Sequence, residues 1–255
     1  MAVETTHIKH YLPYINHLPV SNAINKSHLL HTNFMMEKSE NLEMYYAPHN
    51  EYINCHAKIV IVGITPGWTQ MKAAYQQAKV SLQQGDSLEQ LAISAKRAAG
   101  FAGTMRMNLI EMLDACGVND AFQLGSCRLL FSEYQKMLHT TSIIKYPVFA
   151  NGKNYTGYVP KIVQSSLLTK YAYHIFPKEL EKIKEDYLLI PLGKAVTEVI
   201  EALVIKGKIS EKSCLFGFPH PSGANGHRKK QFQQVNSSLQ HIVKRYANHL
   251  HHNND

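Results

Sequence analysis

Long hydrophobic runs and a signal-peptide pattern are both missing from this sequence. Hydrophobic residues make up 45% of the chain, yet no run of them is long enough to span a membrane. Residues 1–10 lack the charged, apolar and small-residue order of a secretory leader. The sequence therefore predicts a protein without a membrane partner.

Cysteine is scarce, and its spacing argues against a metal centre. The four cysteines are scattered along the chain, at Cys55, Cys116, Cys127 and Cys214, and no two of them form a C-x-x-C pair. This spacing gives no support for a zinc or iron–sulfur site, so we expect no metal and no cofactor. Isolated thiols are typical of a reducing compartment, which predicts a cytoplasmic location.

Acidic residues are outnumbered by basic ones. The chain has 19 Asp and Glu against 27 Lys and Arg, a formal net charge of +8. Positive charge favours association with polyanions such as nucleic acid, although it carries no information about the fold.

The stretch around which the chain is organised is an apolar run that ends in a glycine-rich turn. Residues 58–62 are predicted to form a strand buried on both faces, as in parallel sheets covered by helices. The turn Gly63-Ile64-Thr65-Pro66-Gly67 then lies at the carboxyl end of this strand, where open α/β sheets bind ligands. Its glycines would let the backbone approach a ligand closely.

Strands alternate with helices along much of the remaining chain. Further strands are predicted at 142–144, 187–192 and 214–218, with helices at 107–116, 195–205 and 228–248. This alternation predicts an α/β fold, a three-layer α/β/α sandwich with a short, mainly parallel central sheet.

The predicted domain organisation has a single α/β/α domain at 51–248. Residues 1–50 are expected to form short helical pieces that pack on it as an amino-terminal extension. A helical insertion is expected at 68–99, with two helices separated near Asp86 and Ser87. Residues 249–255 are expected to be a disordered tail.

Several short sequence blocks follow one another in a fixed order. The first is the Gly63–Gly67 turn. The later blocks are Gly100-Phe101-Ala102-Gly103, the strand Thr141–Pro147, the strand and turn Leu189–Ala195, and His220-Pro221-Ser222. In this order the blocks resemble the motifs of the uracil-DNA glycosylase superfamily, and the resemblance covers residues 57–245. The iron–sulfur cysteines of that superfamily are absent.

The resemblance implies a monofunctional enzyme that flips a nucleotide out of DNA and hydrolyses its N-glycosidic bond. His220 matches the residue that stabilises the departing base, and Thr65 would place the attacking water. The base itself would be held by residues of three segments: Gly63, Ile64, Pro66, Gly67, Phe101 and Ser142. Phe101 would stack on the base. No cofactor or metal is implied.

Two departures from the family pattern bear on water activation and on the substrate. Ile64 and Thr65 stand where relatives carry a water-activating carboxylate or Asn, and Thr cannot act as a general base near neutral pH. Ser142 replaces the Asn that reads the uracil edge, and Gly67 lies where some relatives have a bulky residue. Both residues have smaller side chains than their counterparts and would leave more space for the base. This suggests that the substrate is a 5-substituted or hypermodified pyrimidine such as those of phage DNA.

A basic loop after His220 is predicted to contact the DNA strand. The expected contacts are Ser222, Gly223, Asn225, His227, Arg228 and Lys229, together with Lys145. Cations at the start of a helix oppose its dipole, so contact with phosphates explains them better than local stability. For Lys145, a solvated surface position is favoured over contact with phosphate.

Other functions stay open at this point. The chain could be a uracil-DNA glycosylase of base-excision repair, a catalytically weak DNA-binding member of the superfamily, or a hydrolase of free nucleosides. Repair and antiviral defence would leave the same sequence pattern. We expect a monomer.

Overall fold

The chain folds as a mixed α/β protein with a small parallel sheet. The computed structural model describes residues 2–3, 5–19 and 21–252. Its helices are α1 (Thr5–Asn16), α2 (Lys26–Leu29), α3 (Trp68–Gln83), α4 (Leu88–Ala99), α5 (Thr104–Ala115), α6 (Val118–Ala121), α7 (Ser166–Lys170), α8 (Phe176–Leu180), α9 (Lys194–Ile205) and α10 (Arg228–His252). Its strands are β1 (Ala2–Val3), β2 (Met35–Ser39), β3 (Leu42–Tyr45), β4 (Tyr52–Ile53), β5 (Ile59–Gly63), β6 (Leu138–Ser142), β7 (Val148–Ala150), β8 (Lys153–Asn154) and β9 (Leu188–Pro191).

Two compact units interleave along the sequence. Unit 1 comprises residues 1–55, 64–102 and 141–183, and unit 2 comprises residues 56–63, 103–140 and 184–255. The predicted extension at 1–50 and the predicted insertion at 68–99 both belong to unit 1, so together they make up much of one body.

Unit 2 contains β5 and β9, two strands of a three-stranded sheet in the order β6-β5-β9. β5 runs parallel to β9, with Ile59 opposite Leu188 and Val62 opposite Pro191. Every residue of these two strands is buried, which confirms a strand covered on both faces, although it spans Ile59–Gly63 and the predicted first residue, Lys58, is exposed outside it.

The predicted last strand at 214–218 is wrong. Only Cys214 forms a β-bridge there, to Leu189 of β9, and the Leu215 N–H donates to the Leu189 carbonyl (2.8 Å). Gly217 then adopts a φ of +89°, which turns the chain away from extended geometry. The strand predicted at 142–144 is shifted, because β6 ends at Ser142.

Unit 1 contains an antiparallel sheet in the order β2-β3-β7-β8. The prediction of short helical pieces for residues 1–50 is therefore wrong at 35–45, where the chain forms the β2–β3 hairpin. Residues 35–45 contain no Val, Ile or Thr, so the usual β-branched indication of a strand is lacking. The turn is marked only by Glu40, whose φ is +53°.

Helix predictions fare better because caps and periodicity are local. The two helices predicted within 68–99 are confirmed as α3 and α4, and the Ser87 hydroxyl caps α4 by accepting from the Gln90 N–H (3.2 Å). Gly117 follows α5 with a φ of +83°, as expected for a helix C-terminus. α10 begins at Arg228, as predicted, and continues to His252 rather than ending at 248. The rest of the predicted tail, residues 253–255, lies outside the described residues.

Aromatic rings surround a buried carboxylate in the core of unit 1. The Tyr11 and Tyr46 rings stack with centroids 4.0 Å apart. Glu51 is fully buried, and its Oε1 accepts a hydrogen bond from the Tyr146 hydroxyl (2.8 Å). Burial and the Glu51 carboxylate raise the pKa of Tyr146, so the phenol keeps its proton and remains a donor.

Within residues 2–3, 5–19 and 21–252, no helix is both long enough and apolar enough to cross a membrane.

We predict that Tyr146→Phe lowers the free energy of unfolding by about 1–3 kcal/mol, because it removes a donor from a buried carboxylate. Urea unfolding measures the change. Tyr158→Phe is the matched control, since that side chain is 53% exposed, and it should change the stability little. Equal effects of the two substitutions would contradict the role assigned to Glu51.

Candidate functional site

The predicted site residues fall into two groups, one in each unit. Unit 1 contains Ile64, Thr65, Pro66, Gly67, Phe101, Ser142 and Lys145. Unit 2 contains Gly63, His220, Ser222, Gly223, Asn225, His227, Arg228 and Lys229.

In unit 2, the carboxyl ends of two parallel strands create the edge at which the site is built. The Leu192 N–H donates to the Val62 carbonyl (2.9 Å), so β5 and β9 remain in register to their last residues. Gly63 ends β5, and Gly193 follows β9 to begin α9. This is the kind of edge at which open α/β sheets place ligands.

His220 lies against Gly193 at this edge. The Gly193 N–H donates to the Phe218 carbonyl (2.9 Å), which ties the turn to the segment leading into His220. A methyl group on Gly193 would lie 3.0 Å from the His220 Cβ, tighter than ordinary van der Waals contact, and the φ of Gly193 is +82°. Both facts require glycine here.

The imidazole of His220 is oriented by its own turn. The Ser222 N–H donates to His220 Nδ1 (3.3 Å), so Nδ1 is the acceptor and Nε2 bears the proton of the neutral ring. Burial lowers the pKa of His220 below its ordinary value of 6.5, which favours that neutral form. Within the described part of the chain, Nε2 has no hydrogen-bond partner.

Side chains hold three successive carbonyl groups of this turn. The His220 carbonyl accepts from Asn225 Nδ2 (3.2 Å), and the Pro221 carbonyl accepts from Asn108 Nδ2 (2.9 Å). The Ser222 carbonyl accepts from Arg228 Nη1 (3.1 Å). We call His220-Pro221-Ser222, held in this way, the His220 turn.

These bonds change the interpretation of the basic loop. Asn225 and Arg228, predicted to contact DNA, are engaged in supporting the His220 turn, and Asn225 Nδ2 also donates to Gln231 (2.8 Å). Gly223, His227 and Lys229 are exposed, as DNA contact would require. Asn108 was not predicted, because a single Asn in an amphipathic helix carries no distinguishing pattern.

In unit 1, the first-motif turn is hydrogen-bonded to the segment that follows β6. The Ile144 N–H donates to the Ile64 carbonyl (3.0 Å). The Thr65 hydroxyl donates to the Tyr146 carbonyl (2.8 Å) and accepts from the Val148 N–H (3.1 Å). Thr65 therefore has one acceptor lone pair left and no proton to give, so it could only accept a hydrogen bond from a water.

The prediction of free space beside Gly67 is wrong, because the Asn154 side chain occupies that space. A methyl group on Gly67 would lie 3.3 Å from Asn154 Nδ2. Asn154 Oδ1 accepts from the Trp68 N–H (3.0 Å), which fixes the amide and directs its NH₂ group toward Gly67. A carboxamide thus lies over the first-motif turn.

Phe101, the residue expected to stack on the base, is buried. The residue is 4% exposed, and its backbone has a left-handed φ of +51°. For a residue with a side chain this conformation costs on the order of 1–3 kcal/mol, so the surrounding structure must impose it. Ser142, the last residue of β6, is also buried.

Lys145 is buried as well, so the solvated surface position is wrong for it. It is 8% exposed and lies 5.6 Å from the centroid of the Tyr146 ring. Lys96, Glu179 and Glu51 are likewise buried in unit 1. Sequence reasoning missed this group of charges, because its members come from segments far apart in the chain.

The buried charges of unit 1 interact with one another. Burial lowers the pKa of Lys96 to about 8, against the opposing effect of Glu179. The Thr141 hydroxyl donates to Glu179 Oε1 (2.5 Å), which links the charges to the end of β6. Three consecutive residues also have a buried polar atom without a hydrogen-bond partner in the part of the chain described. These atoms are His49 Nδ1, Asn50 Nδ2 and Glu51 Oε2.

Among the described residues, no group of three or more His, Cys, Asp or Glu side chains is arranged to hold a metal ion. The four cysteines are free and buried.

We predict that His220 titrates below pH 6.5, with Nε2 as the protonated nitrogen of its neutral form, because burial opposes the charge and Ser222 occupies Nδ1. Nitrogen-detected NMR of the imidazole, assigned with a His220→Gln variant, measures both properties. A midpoint above 6.5, or a proton on Nδ1 of the neutral ring, would contradict this description.

Comparison with known proteins provides a bacterial relative. The Bacillus subtilis (strain 168) protein YoxB, described as uncharacterized, is 49% identical over 247 residues, which cover 97% of this chain and 96% of YoxB. No protein-family model matches the chain, and no solved structure matches it. On the basis of this identity over nearly the full length of both chains, the protein belongs to the YoxB family.

Proposed function

We propose that the protein is a monofunctional DNA glycosylase that hydrolyses the N-glycosidic bond of a damaged or modified pyrimidine and leaves an abasic site. It would act as a cytoplasmic monomer on DNA, and its fold would be a three-layer α/β/α sandwich. The resemblance of its motifs to the uracil-DNA glycosylase superfamily suggested this activity, and the geometry of the His220 turn supports it.

The observation that most supports this activity is the fixed tautomer of His220 at the carboxyl edge of β5 and β9. Cleavage of the glycosidic bond leaves negative charge on the departing base, shared between its ring nitrogen and its exocyclic carbonyl oxygens. A neutral imidazole whose Nδ1 accepts from Ser222 presents Nε2–H as a donor, which is the group needed at such an oxygen. The low pKa of His220 makes this form available at neutral pH.

Preorganisation of the donor supports the same proposal. A donor contributes most to the rate when it needs no rearrangement as charge develops on the leaving group. The three carbonyl groups of the His220 turn are each held by a side chain, and the absence of a side chain at Gly193 leaves room for the His220 Cβ. The turn is therefore built to keep one imidazole in one orientation.

The attacking water would be oriented by Thr65 and not deprotonated by it. The one free lone pair of the Thr65 hydroxyl can accept a hydrogen bond from a water, which directs the oxygen lone pairs of that water outward. In this mechanism the departure of the base carries most of the barrier, so His220 matters more to the rate than Thr65.

We further propose that Asn154 reads the hydrogen-bonding edge of the base. Ser142 lacks the amide that would pair with a pyrimidine, whereas the carboxamide of Asn154 is fixed over the first-motif turn by the Trp68 N–H. An amide there offers an N–H donor to a base carbonyl group. A polar group placed in this way allows strong discrimination between bases, because an unmatched base leaves it without a partner.

The test of the activity is base release from duplex and single-stranded oligonucleotides carrying uracil, a thymine mispair, 5-hydroxymethylcytosine or its glucosylated form. Alkali cleaves the strand at any abasic site. We expect one of these substrates to be cleaved, and His220→Ala to reduce the single-turnover rate on it by about 10²–10³-fold.

His174→Ala is the matched control, because it removes an exposed histidine of unit 1 and should leave the rate unchanged. A rate that survives the loss of His220 would contradict the proposed mechanism, and the absence of cleavage on every substrate would contradict the proposed activity.

For the base specificity, we predict that Asn154→Ala lowers kcat/KM for the preferred base by about tenfold or more while changing it less for other bases, because the amide contact is worth about 1–3 kcal/mol. Asn151→Ala, which truncates an exposed amide in the neighbouring β7–β8 turn, is the control. A uniform loss over all bases would assign Asn154 a purely structural role.

A second function, recognition of unusual DNA without cleavage, is favoured by one observation. The Thr65 proton is donated to the Tyr146 carbonyl, and no carboxylate stands in the first motif to activate a water. This alternative predicts binding to modified or abasic DNA with no alkali-sensitive sites in the panel above.

A further inference from the structure

The carboxyl-terminal part of the chain contains no acidic residue over a long stretch. Between Glu211 and Asp255 there is neither Asp nor Glu, although the stretch includes six Lys or Arg residues. These cations make up much of the net charge of +8, and most of them lie on α10.

Aromatic and apolar side chains fix one face of α10 to unit 2. Phe232 lies against Phe218, with ring centroids 6.0 Å apart, and Tyr246 lies against Phe122 at 6.2 Å. Leu239 and Val243 are buried between these anchors. These contacts hold the helix along most of its length, so the face on its other side is turned away from unit 2.

The opposite face carries a stripe of polar and basic side chains at helical spacing. Its members lie three or four residues apart and are all exposed: Lys230, Gln234, Ser237, His241, Lys244 and the adjacent Arg245. We call this stripe the basic face of α10.

The cations of the basic face are not neutralised within the structure. Lys230, Lys244 and Arg245 form no ion pair with any residue in the described ranges, and no acidic residue is present on α10 to screen them. The cations, together with the Gln234 amide and the Ser237 hydroxyl between them, form a row of hydrogen-bond donors that suits a partner with many acceptors.

We propose that the basic face of α10 binds the phosphate backbone of duplex DNA beside the nucleotide that the His220 turn engages. This inference rests on the proposed function for the location of the flipped nucleotide, but the binding itself does not require cleavage. Phosphates are the repeating acceptors that such a stripe fits, and contacts of this kind carry no base specificity.

The dimensions of the helix agree with this partner. Lys230 and Lys244 are separated by fourteen residues, which correspond to about 21 Å at 1.5 Å per residue. Duplex DNA rises 3.4 Å per base pair, so the two lysines could reach phosphates about six base pairs apart. The Lys229 side chain, exposed beside Lys230 in the first turn of α10, extends the contact toward the His220 turn.

The experiment measures binding to a 20-base-pair duplex by fluorescence anisotropy over a range of salt concentrations. The variant is Lys230→Gln/Lys244→Gln, and the matched control is Lys208→Gln/Lys212→Gln, which removes the same charge from exposed positions of unit 2 outside α10. The α10 variant should reduce the slope of log Kd against log salt by about 2, since each phosphate contact contributes about 0.9. Its Kd at low salt should rise at least tenfold, and the control should behave as the wild type.

Equal salt slopes for the wild type and the α10 variant, or equal losses in the variant and the control, would overturn the inference. Circular dichroism of both variants shows that the helix is retained. The outcome is separable from that of the proposed function. Binding that depends on α10 without base release supports the inference and contradicts the glycosylase, whereas base release with binding independent of α10 does the reverse.

Discussion

One hydrogen bond governs the chemistry available to this protein, the bond from the Ser222 N–H to His220 Nδ1. It determines which imidazole nitrogen bears the proton, and it can exist only while the ring is neutral. Burial stabilises that neutral state by lowering the pKa of His220. Asn108, Asn225 and Arg228 keep the carbonyl groups of the turn in place. The backbone of the turn therefore determines the orientation of the imidazole.

Unit 1 depends on a different constraint, the burial of charge. Glu51 is fully buried and receives the Tyr146 hydroxyl, and Lys96 and Glu179 are buried in the same unit. Buried charges are stable only when paired, so removing one partner costs more than the pair contributes. The same unit holds the first-motif turn through the hydrogen bonds of Thr65. Any ligand that this turn binds therefore depends on the rigidity of unit 1.

Local patterns predicted the parts of the fold that local forces determine. The strand β5, the helix pair α3 and α4, and the start of α10 follow from an apolar run, a cap and a periodic pattern. The β2–β3 hairpin lacked β-branched residues, and the fixed amide of Asn154 arises from contact between segments far apart in sequence. No pattern in the sequence could reveal that Lys145 is buried, because a solvated lysine has the same sequence environment. Geometry from distant segments is what single-sequence reasoning cannot supply.

The measurement that tests the central claim most directly is the pH dependence of single-turnover base release. If neutral His220 donates from Nε2 to the departing base, the rate should be constant from pH 8 to below 6.5 and should fall only as the ring becomes protonated and loses its bond from Ser222. A rate that rises as the pH falls through 6.5 would contradict the account, since it would require the imidazolium as the active form.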